Sequence, residues 1–155
     1  MFLVKFFIIT FTFSFFGFED NTADVKMSND VLELVNKIRK QGCNCGNTYY
    51  PAVNELKWNN QLAQAAALHS NDMNQNNFFN HKGTKGNIVG DRVMEVGYNW
   101  LSTGENIAKN QPNAEIVVAS WLKSEGHCKN IMSPNYDEMG VAKVGAYWTQ
   151  VFGTK

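Results

Sequence analysis

Hydrophobic positions along the chain repeat first at helical spacing and then, toward the C-terminus, at alternate residues. In SNDVLELVNKIRKQG, from residue 28, Val31, Leu34, Val35 and Ile38 form the stripe of an amphipathic helix, with Asp30 and Glu33 in capping-box relation and Gly42 as the stop. A second stripe starts near Asn59 and carries Leu62, Ala63, Ala66, Ser70 and Met73, whose small alanines favour close packing on a neighbour. Residues 91–96 predict a short helix closed by Gly97. AEIVVASWLKS predicts a third long helix, with Ile116, Val117, Ser120 and Trp121 inward and Gly126 at its terminus in positive φ. Strands are predicted late, at 104–109, 139–146 and 147–153, with Gly145 and Ala146 turning between the last two. The last strand alternates Tyr147, Thr149 and Val151 with Trp148, Gln150 and Phe152. CNCGNTYYPAVNELKW, dense in Gly, Asn and Pro, reads as an irregular loop. Helices interleaved with a small, mainly antiparallel sheet predict an α+β layered domain.

The N-terminus adds a different kind of segment. Lys5 precedes thirteen mostly apolar residues, 6–18, and then Glu19 and Asp20. This is the pattern of a secretory signal peptide over 1–23, cleaved somewhere in 17–23, and it falls short of the about 20 apolar residues a spanning helix needs. The expected mature part, 24–155, suits one domain without a membrane anchor. Charges balance at 14 basic against 14 acidic residues with no run of like sign, so nucleic acid is not an expected partner. Export to an oxidising compartment changes the reading of Cys43, Cys45 and Cys128 to one bridge and one leftover sulfur. None of the 20 Asn residues begins an N-x-Ser/Thr sequon, which points to a bacterial setting, secreted or, in a Gram-negative cell, periplasmic.

Five motifs in order, NNFFNHKG, GENIA, SWLKSEGHCKNIM, EMGVA and YWTQVFG, resemble the CAP superfamily. This is the cysteine-rich secretory, venom-allergen and pathogenesis-related group, here in its compact bacterial SCP form over residues 31–153. The resemblance implies a three-layer α-β-α sandwich with a cleft lined by two histidines and two acids. By motif these fall on His81, Glu105 and His127; the second acid has no counterpart, because Ser124 holds its position and Glu125 follows one residue later. It also implies a Cys45–Cys128 bridge, leaving Cys43 as the free thiol. Such a bridge closes more than eighty residues and contributes about 4 kcal/mol by chain entropy.

Two imidazoles and a carboxylate at one cleft would make a zinc site with an open position for water, or else a hydrogen-bonded polar cluster. No H-E-x-x-H motif decides between them. His69 reads as a partly buried helix histidine, Trp58, Trp121, Trp148, Phe78 and Phe152 as core, and Trp100 as core or cleft rim. A Cys128-His127 dyad is disfavoured because successive side chains leave the backbone in different directions, and Ser124 with His127 lacks an orienting acid, so capping is the plainer role for Ser124. Asn106 and Asn130 read as buried amides that satisfy loop backbone.

The function expected from the resemblance is a secreted, monomeric binding module. Its His/Glu cleft and loops would take an extracellular lipid, carbohydrate or protein ligand, with no required cofactor and zinc or another divalent cation weakly held. The rival is an extracellular metal-assisted hydrolase with His81 and His127 as ligands and Glu105 as general base or third ligand. A thiol hydrolase on Cys128 is the third reading.

Overall fold

The computed structural model describes residues 22–155. The expected signal peptide lies outside the described residues except for Thr22 and Ala23, which open the first helix. In chain order the elements are α1 (Thr22–Gln41), β1 (Cys43–Cys45), β2 (Thr48–Tyr50), β3 (Lys57–Trp58), α2 (Asn60–Asn76), α3 (Val89–Glu95), β4 (Ser102–Lys109), α4 (Ala114–Lys123), α5 (Glu125–Ile131), β5 (Glu138–Val144) and β6 (Tyr147–Thr154). Among the described residues no helix is long and apolar enough to cross a membrane.

The central sheet runs β3-β5-β6-β4, antiparallel throughout except for the β3–β5 pair. Its side chains alternate between two helical layers, as strand geometry requires. Met139, Val141, Trp148 and Phe152 pack with Val31 and Val35 of α1, Val117 and Trp121 of α4 and Ile131 of α5. On the opposite face Val151 and Ala142 meet Leu62, Ala65 and Ala66 of α2 and Val93 of α3. This is an α+β fold in three layers. Because β6 is covered on both faces, its polar members are inside too: Thr149 accepts from the Ser70 hydroxyl at 2.8 Å, and Gln150 from the Asn106 amide at 3.1 Å. Period-two alternation there separates two cores rather than core from water.

α2 forms where its stripe predicts, with Ala65 rather than Ala63 on the buried face. The Asn59 side chain accepts from the N–H groups of Gln61 and Leu62, and the helix stops at Asn77, which takes left-handed φ of 49°. Its buried face runs Leu62, Ala65, Ala66, His69, Ser70 and Met73. The small side chains let the helix lie directly on β5, so closely that a Cβ at Gly140 would fall on backbone atoms of Leu62 and Ala63.

Several expectations need correcting. α1 starts well before the capping-box pair; Asp30 is inside the helix, bonded to Lys26 one turn back, so it caps nothing. The supposed loop after α1 contains the β1–β2 hairpin, turned by Gly46 at φ 61°, and the short strand β3. On α4 Ile116 faces solvent at 50% exposure and Val118 is buried in its place, since the register follows Asn113, whose side chain caps the N–H of Ile116. Gly126 is not a terminus; it lies within α5, and its φ is not positive.

Candidate functional site

β4 carries Glu105 in the sheet, with its carboxylate almost wholly buried. A buried carboxylate must be paired or protonated. Here it is paired on both oxygens: Oε1 accepts from His81 Nδ1 at 2.8 Å, and Oε2 from Arg92 Nη2 at 2.6 Å. Arg92 reaches it from α3 and is itself buried, with further donations to the carbonyls of Asn87 at 3.1 Å and His81 at 3.2 Å. One guanidinium thus neutralises Glu105 and fixes the loop that carries His81.

His69 sits below this pair, fully buried on α2, its Nε2 3.8 Å from Glu105 Oε1 and 2.9 Å from the Asn80 carbonyl. A carbonyl only accepts, so Nε2 carries the proton and Nδ1, which has no hydrogen-bond partner, is the bare nitrogen of the neutral ring. Burial lowers the His69 pKa against the pull of Glu105, and the Arg92 charge lowers it further.

α5 is bonded to β4 beside this cluster. His127 is half-buried, and its carbonyl accepts from Asn106 Nδ2 at 3.2 Å. Asn130 donates to the Glu105 carbonyl at 3.1 Å and to Asn106 Oδ1 at 2.9 Å, so two amides fasten α5 to β4. Burial, and secondarily the charge of His81, lowers the His127 pKa.

Of the other candidates, Ser124 joins α4 to α5 and its side chain makes no capping bond. Glu125 points outward to Lys129 at 2.6 Å and packs over Gly46. Neither has a hydrogen bond or ion pair with His81, Glu105 or His127. Trp100 is 40% exposed, lies on Gly90 and donates to its carbonyl at 3.3 Å, while Trp121 and Trp148 are core. Trp58 and Phe78 are only partly buried.

Cys45 is bridged to Cys128, 83 residues away, and Cys43 is a free thiol. Cys128 therefore offers no thiolate nucleophile. Among the described residues these sulfurs make up the one group of three His, Cys, Asp or Glu ligand atoms lying within 4.8 Å of one another; His81, Glu105 and His127 do not close up to that spacing. With Glu105 Oε1 and His81 Nδ1 engaged with each other, the ring nitrogens of the two motif histidines outside that bond are His81 Nε2 and those of His127. A carboxylate on one nitrogen of an imidazole is the usual way a metal-binding histidine is oriented, and Glu105 stands in that relation to His81.

The arrangement missed by motif reasoning is the layer beneath the histidines. His69 was available from spacing, since it follows Ala65 and Ala66 on the buried stripe; Arg92, between Asp91 and Val93 in a short helix, carries no sequence signal of burial.

An α-β-α sandwich with His81 over a buried, arginine-paired carboxylate matches the class of domain that the motifs resemble. The profile of the cysteine-rich secretory protein family, CAP, matches residues 32–152, and the chain belongs to that family. It is 38% identical over 125 residues to the uncharacterized protein YkwD of Bacillus subtilis, covering 79% of this chain and 45% of that one. Among solved structures, an extracellular protein containing an SCP domain from Bacillus anthracis is similar with TM-score 0.75 and 30% identity, over 85% of this chain and 41% of that one. An outer surface protein of Borrelia burgdorferi shares the fold with TM-score 0.69 and 19% identity, over 88% of this chain and 96% of that one. The chain thus spans under half the length of the two Bacillus proteins.

Proposed function

We propose that this CAP domain is an exported binding module whose cleft presents His81 and His127 to an extracellular ligand and holds a divalent cation weakly between them. The observation that carries this reading is the double engagement of Glu105 by His81 and Arg92. Both oxygens of Glu105 already accept from protein donors, an arrangement that suits an orienting group behind His81 better than a base aimed at a water. The two imidazoles remain as donors, and the pKa of His127 is lowered by burial and then by His81. A bound cation would supply Lewis acidity at the cleft mouth, and Arg92 and Glu105 would hold His81 in place for it. Export is supported by the leader pattern of residues 1–23 and by the extracellular and outer-surface descriptions of the similar structures.

Calorimetric titration of zinc at neutral pH, alongside the His81→Ala/His127→Ala variant, tests this. Binding near one equivalent, weakened at least tenfold in the variant, is expected. Equal behaviour of the two proteins would leave the cleft as a polar cluster and move the search to lipid and protein ligands.

A further inference from the structure

Three sulfurs meet at the junction of the β1–β2 hairpin with α5. Cys43 and Cys45 are two apart on one strand, so both side chains leave the same face, the one that meets α5. Cys45 is bonded to Cys128, and the Cys43 Sγ lies 3.7 Å from the Cys128 Sγ, in contact with the bridge. Both bridge residues are fully buried, whereas Cys43 is half-exposed. Solvent therefore reaches the bridge most directly through Cys43.

We propose that Cys43 is an exchange thiol for the Cys45–Cys128 disulfide, making this corner a disulfide-isomerising site rather than an inert staple. The Cys43 thiolate attacks Cys128 Sγ, the Cys43–Cys128 bond forms, the Cys45–Cys128 bond breaks, and Cys45 leaves as a thiolate that takes up the proton Cys43 lost. No oxidant or reductant is consumed. A collinear approach would set the outer sulfurs farther apart than the 4.8 Å that encloses all three, so Cys43 sits beside the bridge and turns about χ1 to attack. Either isomer keeps the hairpin tied to α5. What changes is which sulfur is free, the half-exposed Cys43 or the buried Cys45, and which strand position anchors the residue next to His127.

Burial raises the Cys43 pKa, so exchange is slow at neutral pH and speeds up in base. Tyr50 faces Cys43 across the ladder, and on α5 Glu125 and Lys129 are occupied with each other.

The test uses the full chain, incubated anaerobically between pH 7 and 9, quenched and denatured in acid, and labelled there with an acid-tolerant thiol reagent. Cys43 and Cys45 share the tryptic peptide 41–57, and fragmentation places the label on one or the other. Label on Cys45, appearing about tenfold faster per pH unit while Cys43 is mostly protonated, is expected. Label confined to Cys43 at every pH overturns the proposal. Cys43→Ser should abolish the Cys45 label; if the label persists there, it comes from reduction from outside and the proposal fails. In Cys45→Ser, refolded in a glutathione buffer, a Cys43–Cys128 crosslinked peptide is expected, and two free thiols in the folded variant overturn it as well.

Discussion

Glu105 and Arg92 are almost fully buried and each is the other's countercharge, so neither can lose its partner without leaving a charge in the protein interior. Truncating Arg92 to Met should destabilise the fold by about 3–5 kcal/mol, measured by urea unfolding, while Glu105→Gln, which keeps an acceptor, should cost less. The two roles open to Glu105 separate in the same variant. As an orienting group behind His81 it should weaken zinc by about tenfold when changed to Gln, the ordinary effect of removing an outer partner of a metal-bound histidine. Complete loss of binding would instead make it a direct ligand. His81, Glu105 and His127 stood out as candidates because each sits in a short motif. Arg92 did not, because an arginine flanked by Asp91 and followed by Glu95 has the local pattern of a solvated helix face, and only the distant strand β4 makes it interior.

Elements were legible in proportion to how much their own sequence decides. α2 carries its cap in Asn59 and its stripe in one repeating face, and the β5–β6 hairpin has its turn in Gly145 at φ 56°. α5 hides its identity: Gly126 looks like a stop, but seven residues become helical because Cys128 and Ile131 have a core to enter and Cys128 a sulfur to meet. The hairpin β1–β2, three residues per strand, is likewise held by its bridge to α5 more than by its Asn- and Gly-rich sequence. Packing between elements was the least legible, and Gly140 is where it binds hardest. Its missing side chain lets β5 touch the α2 backbone, which cannot rotate aside as a flexible side chain would. Gly140→Ala should therefore cost about 3 kcal/mol or more, the upper end for overpacking. A chemical-denaturation midpoint unchanged from the parent would mean that α2 can move off the sheet.

For the whole molecule, the buried imidazoles should set the response to mild acid. His69 and His127 both have lowered folded pKa values, chiefly through burial, while in the unfolded chain each titrates near the ordinary histidine value of about 6.5. Below that value the unfolded state binds protons that the folded state refuses, so stability falls with pH; above it both states are neutral and stability is flat. The contribution is thus complete at neutral pH and lost as pH drops below about 6.5 toward the folded values. Ordinary carboxylates, at about 3.9 for Asp and 4.3 for Glu, remain largely ionised down to pH 5, which leaves a window where histidine dominates. With chelator present to remove any metal, the melting temperature should hold steady from pH 8 to 7 and decline between about pH 6.5 and 5. Replacing His127 with Asn should reduce that slope, and His69→Gln with it should reduce the slope further, even if both variants melt lower at every pH. A decline as steep in the double variant as in the parent would place the acid sensitivity elsewhere and would remove these two rings as the reason the cleft keeps its neutral donors.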